Sequence, residues 1–127
     1  MADVVIDASV WIDYLSGAKI QSVDDAVTDD LAVIPPLVVA ELVTGALTPA
    51  MREAVGELLQ DVWVHETPLE HWIDVGTLRR LLGRKGINAT VPDAHIAQCA
   101  LDLEASLLTR DKIFAEIAKH TRLRLAR

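Results

Sequence analysis

A chain of 127 residues, 51% hydrophobic but only 4% aromatic, has room for one aliphatic core of Val, Leu, Ile and Ala spanning 1–127 and none for a second domain. No apolar run nears the roughly 18 residues of a bilayer span, and no basic-then-apolar leader opens the chain, so a cytoplasmic protein without membrane contact is expected. The net charge of −7 argues against a polyanion partner until it is divided: residues 1–60 carry −8 and residues 61–127 carry +1, so only the second half can offer a track for phosphates.

The opening Asp3-Val4-Val5-Ile6-Asp7 is a β-branched run of the kind that forms a strand buried on both faces. Val10, Trp11, Tyr14 and Leu15 then fall at helical spacing until Gly17 stops them, predicting a helix over 8–15. Residues 31–34 read as a second strand closed by Pro35-Pro36, followed by helices over 37–47 and about 49–60. Val62-Trp63-Val64 is a third strand, 69–82 a long helix with a basic exit from Gly83 to Gly86, and 87–91 a loop. A helix over 92–103, a strand at 106–109, a helix over 111–120 and a last strand at 122–125 complete the chain. Strands alternating with helices in this way predict an α/β sandwich around a mostly parallel sheet.

In such a sheet, ligands bind beyond the carboxyl ends of the strands, which is where Asp7 and Asp111 stand. Each precedes a helix, as Asp93 opens one, so helix capping explains any of the three taken singly. Glu41 resists that explanation. Leu37, Val38, Val39, Leu42, Val43 and Leu47 surround it on a helix expected to be buried, and no Lys or Arg stands within a turn. A cation or a distant basic group is then needed, and four carboxylates suit Mg²⁺ or Mn²⁺. The lone Cys99, read as a small buried apolar residue, and the unspaced His65, His71, His95 and His120, read as surface or structural, argue against zinc. Only His95, two residues from Asp93, is placed to approach the pocket.

Four segments in order carry a resemblance: Val5-Ile6-Asp7-Ala8-Ser9, Val39-Ala40-Glu41-Leu42, Pro92-Asp93-Ala94-His95-Ile96-Ala97, and Leu108-Thr109-Arg110-Asp111 followed by Phe114. Over nearly its whole length the chain resembles PIN-domain proteins, in particular the VapC-type toxins of bacterial toxin–antitoxin pairs. The resemblance implies a three-layer α/β/α sandwich in which Asp7, Glu41, Asp93 and Asp111 hold one or two divalent cations and form the catalytic set. Ser9, and also Thr109, would support them by hydrogen bonding. It further implies RNA as substrate, an antitoxin whose C-terminal stretch blocks the acidic pocket, and a homodimer, for which the Val- and Leu-rich early helices would supply an apolar face. His95 stands where relatives often carry an apolar residue.

Two other functions compete with metal-dependent RNA cleavage. An aspartyl-phosphate phosphatase also carries an Asp after its first strand, but wants a second Asp two positions on, where this chain has Ser9. A binding module would offer the acidic pocket to a basic partner segment. For an RNA track, the long helix exit carries Arg79, Arg80, Arg84 and Lys85, with Arg80 and Arg84 four apart on one face. The same charges also suit a helix C-terminus. Arg110 and Lys112, flanking Asp111, are the next candidates.

Overall fold

A computed structural model describes residues 2–127. Val4–Ile6 forms β1, with Val5 and Ile6 fully buried, as a β-branched run flanked on both sides by other strands should be. Ala8–Leu15 (α1) follows at once and Gln21–Thr28 (α2) after a short turn. Then come Ala32–Ile34 (β2), Pro36–Gly45 (α3), Pro49–Asp61 (α4) and Trp63–Val64 (β3). The second half is Leu69–Arg84 (α5), Val91–Asp102 (α6), Ser106–Leu108 (β4), Ile113–Ala118 (α7) and Arg124–Leu125 (β5).

The five strands lie in the order β3-β2-β1-β4-β5, and every neighbouring pair is parallel. The chain steps from β1 outward to β2 and β3, then returns across the sheet to β4 and β5. With right-handed crossovers, the first direction puts α1 to α4 on one face and the second puts α5 to α7 on the other. The packing agrees: α1, α3 and α4 touch one another, while α6 packs on both α5 and α7. The result is the three-layer α/β/α sandwich expected.

Reversal of strand order between β1 and β4 opens a crevice at their carboxyl ends. Ile6 pairs with Leu108, and the Asp7 N–H donates to the Leu108 carbonyl at 3.0 Å, so Asp7 and Thr109 leave the sheet side by side.

Three expectations change. α2 was not foreseen, because its stripe of Val23, Ala26 and Val27, though at helical spacing, covers little more than one turn of an otherwise polar eight-residue segment. α7 begins at Ile113, which leaves Asp111 in a turn that accepts the Ile113 N–H at 3.1 Å. The third concerns α3, which stops at Gly45 and is not a buried helix: Val38 and Leu42 face the core, but Val43 is 58% exposed and Leu47, beyond the helix end, 82%.

Candidate active site

Asp7 ends β1 and caps α1, accepting the Ala8 N–H on Oδ1 at 2.7 Å. Its Oδ2 accepts the Thr109 hydroxyl at 2.9 Å, and Thr109 Oγ1 in turn accepts the Asp111 N–H at 3.1 Å. Thr109 therefore ties the ends of β1 and β4 together and fixes Asp7 beside Asp111. Burial, the largest influence, pushes the Asp7 carboxyl above its usual range; the Thr109 and Ala8 hydrogen bonds oppose this, and the charges of Asp111 and Asp93 add to it.

Glu41 is exposed at its surface, not enclosed as the apolar run around it suggested. Leu37 and Glu41, four residues apart on one face of α3, line a cleft of about 490 Å³ with Ala8, Ser9 and Ile12 of α1. Ser9 is exposed there, close to Glu41. Partial burial raises the Glu41 carboxyl, and the charges of Asp7 and Asp93 raise it further. Asp93 sits in the first turn of α6 and closes a capping box with Thr90: its N–H donates to Thr90 Oγ1 at 3.2 Å, and its Oδ2 accepts the Thr90 N–H at 3.4 Å.

The three aspartates thus do act as caps or turn acceptors, as the simple reading held. Capping uses only part of each carboxylate's capacity, since two oxygens offer about four lone pairs. The charges also converge: Asp7 feels Asp93 and Asp111, and Glu41 feels Asp7 and Asp93. Among the described residues, none of these four acids forms an ion pair with Lys, Arg or His. Like charges gathered without a counter-charge suit a bound cation, and an all-oxygen donor set suits a hard divalent one.

The basic residues divide. Arg79 and Arg80 line a cleft of about 560 Å³ between α5 and the segment from Gly86 to Ala89, which runs directly into Thr90 and α6. Arg79 Nε donates to the Ala89 carbonyl at 2.9 Å and so braces that wall. Arg84 and Lys85 are exposed at the end of α5, outside the cleft lining. Arg110 pairs with Asp13 on α1, and Lys112 is exposed.

A second polar group, unseen in the sequence, lies under α5 and α6. His71 and His95 are buried to 1% and 0% exposure, with His71 Nε2 2.7 Å from His95 Nδ1. His71 Nδ1 is 2.6 Å from Asp102 Oδ2, and Gln98 Nε2 donates to the other Asp102 oxygen at 2.8 Å. Trp72 stacks on His95 at 4.5 Å with rings 4° from parallel. Ligand atoms of His71, His95 and Cys99 all lie within 4.8 Å of one another. Burial brings the His95 imidazole down to about 4, with help from His71 and His65, and pushes the Cys99 thiol up to about 12. The structural reading of both histidines holds, and Cys99 is buried as expected. Only spacing on a shared helix, such as Gln98 to Asp102, could have hinted at this group, because His71 comes from a different helix.

A family model for the PIN domain matches residues 4–120. Ribonuclease VapC32 of Mycobacterium tuberculosis is 36% identical over 113 residues, covering 86% of this chain and 85% of that protein. Two solved complexes have the same fold. VapBC2 from Rickettsia felis, bound to a DNA fragment from their promoter, superposes with a TM-score of 0.82 at 18% identity over 97% of this chain and 96% of that one. DNA-bound VapBC from Salmonella typhimurium also reaches 0.82, at 20% identity over 99% and 98%.

Proposed function

Because this chain belongs to the PIN-domain family, we propose that it is a ribonuclease that hydrolyses RNA phosphodiester bonds with Mg²⁺ or Mn²⁺ and serves as the toxin of a type II toxin–antitoxin pair. The observation that carries the reading is the convergence of Asp7, Glu41, Asp93 and Asp111 beyond the β1 and β4 ends, with no basic partner among the described residues; burial first, and the neighbouring like charges after it, raise the proton affinity of Asp7 and Glu41. A divalent cation bound there supplies the Lewis acidity that makes water nucleophilic and offsets charge building on the phosphate. The four carboxylates would hold it, directly or through water. Thr109 keeps Asp7 oriented, and Ser9 stands at the cleft mouth beside Glu41. A carboxylate not engaged by the cation accepts the proton of the attacking water. No side-chain nucleophile is needed, and Ser9 occupies the position where an aspartyl-phosphate phosphatase would carry its second Asp.

RNA would enter past the cleft of Arg79 and Arg80, whose far wall leads into the helix bearing Asp93, with Arg84, Lys85 and Arg110 as outer phosphate contacts. The antitoxin reading is supported by the VapBC nature of the solved neighbours. A homodimer is supported by exposed Val43 on α3 and exposed Leu47 just beyond its end.

The deciding experiment incubates purified, partner-free protein with RNA and Mg²⁺ or Mn²⁺, with and without EDTA. Cleavage that stops in chelator and resumes on adding the cation supports the mechanism, while undiminished cleavage in EDTA sinks it. Expression alone should arrest growth, and co-expression with the protein of the adjoining gene should restore it.

A further inference from the structure

The buried group of His71, His95 and Cys99 first suggests a second metal site, but its geometry argues otherwise. An imidazole binds metal in its ring plane through one nitrogen. A thiolate on the same ion would then lie about 3.5 Å from that nitrogen and about 5 Å from the other. Cys99 Sγ is instead 3.9 Å from His95 Nδ1 and 3.8 Å from Nε2, nearly equidistant, which does not match a shared ion.

The hydrogen bonds do form a consistent chain. The Leu37 N–H can only donate, and it faces His95 Nε2 at 3.4 Å, so Nε2 is the bare nitrogen. His95 then carries its proton on Nδ1 and donates to His71 Nε2, and His71 donates from Nδ1 to Asp102. Each nitrogen then has one role, with the Cys99 thiol a further, longer neighbour of both His95 nitrogens. Trp72 covers one face of His95, so the ring has little freedom to turn.

What the chain terminates on is the first turn of α3. That helix starts on Pro35 and Pro36, so Pro35 at the N-cap has no side chain able to accept a hydrogen bond, and no local cap exists. The Leu37 N–H is one of the donors left over, and His95 reaches it from 58 residues away in sequence. Leu37 and Glu41 lie on the same face of α3, and His95 follows Asp93 by two residues on α6.

We propose that His95, held in register by His71 and Asp102, is a positioning residue that caps α3 from α6 and so sets Glu41 relative to Asp93. The inference rests on the four-acid reading above. The form of His95 that can accept at a helix N-terminus is the one with a bare Nε2, the nitrogen that faces the Leu37 N–H.

The test uses the purified full chain and Mn²⁺ alone, titrated calorimetrically, together with amide hydrogen exchange at Leu37 and steady-state RNA cleavage. His95→Leu keeps the bulk but removes the acceptor. It should speed Leu37 exchange by about tenfold and weaken Mn²⁺ binding by about tenfold, while KM for RNA at saturating Mn²⁺ stays unchanged. His95→Gln returns an acceptor and should recover Mn²⁺ affinity to within about threefold. Asp102→Ala, at the solvent end of the chain, should shift both readouts in the same direction by about two- to threefold, and it carries the test if His95→Leu does not fold. Wild-type Leu37 exchange or wild-type Mn²⁺ affinity in folded His95→Leu overturns the proposal, as does a His95→Gln protein as impaired as His95→Leu. With His95→Leu unfolded, wild-type values in Asp102→Ala overturn it as well. Glu41→Gln separates the two levels. If it leaves Mn²⁺ binding unchanged, the four-acid reading falls and takes this inference with it. If it weakens binding while His95→Leu does not, only the positioning role falls.

Discussion

The protein buries polar groups in two places and treats them in opposite ways. Between α5 and α6, each ring nitrogen of His71 and His95 meets a complementary partner, and the chain ends on a carboxylate that is 28% exposed and can be hydrated. At the carboxyl ends of β1 and β4, like charges face one another, and burial first, then those charges, raise the proton affinities of Asp7 and Glu41. A satisfied network holds the fold together, whereas an unsatisfied one of a single sign is complete only with something of the other sign. The difference between the two regions is therefore a difference in what each still requires.

The largest expected effect breaks the acidic side of that contrast. Asp7→Asn, Glu41→Gln, Asp93→Asn and Asp111→Asn should each slow RNA cleavage by at least about a hundredfold, measured with a labelled oligonucleotide at saturating cation. The same changes should not weaken the metal-free fold. The sign follows from linkage: Asp7 binds its proton more tightly folded than unfolded. Its contribution is therefore fully present below its ordinary 3.8 and is lost as pH rises through the raised folded value. Asp7→Asn removes that loss, so metal-free Asp7→Asn should melt no lower than the parent at neutral pH. Its melting temperature should also fall less steeply between acid and neutral pH. A drop of many degrees would mean that the Ala8 and Thr109 hydrogen bonds outweigh repulsion.

The histidine side should answer in reverse. His71→Leu leaves the His95 Nδ1–H without its acceptor in a fully buried place, which costs about 1–3 kcal/mol in denaturant unfolding. Added Mn²⁺ should stabilise this variant, because the four acids remain. A variant as stable as the parent would show that the chain contributes nothing to the fold.

The smallest effect sharpens the location of the RNA. Arg80→Ala combined with Arg84→Ala should weaken RNA binding across sequences and lower the slope of log affinity against log salt by about 2, with Mn²⁺ affinity unchanged. A parental slope would place the RNA on another face.

Local chemistry made much of the fold legible. β1 and α1 could be read because a β-branched run ending at Asp7 and an apolar stripe from Val10 to Leu15 are each specified within a few residues. The four acids could be named for a related reason: Asp7, Asp93 and Asp111 stand at the end of a strand or the start of a helix, Glu41 stands alone in an apolar run, and the order of the segments carries a resemblance to one family. Periodicity failed where exposure was at issue. The apolar residues around Glu41 promised burial, yet α3 turns Val43 outward and ends before the exposed Leu47, and only the packing of α3 on α1 and α4 decides which of its sides is covered.

Sequence by itself thus determined the alternation of strands and helices, the carboxylates after β1 and β4, and the chemistry those carboxylates suit, since all of these depend on residues close along the chain. Tertiary structure alone decided that Asp7 and Asp111 share Thr109, that Glu41 lines a cleft with Ser9, and that two histidines 24 residues apart become one hydrogen-bonded unit. The physical reason is reach. A hydrogen bond acts over about 3 Å and carries no imprint along the chain, so a partner 31 or 58 residues away, as Asp102 is from His71 and Leu37 from His95, exists only once the helices have packed.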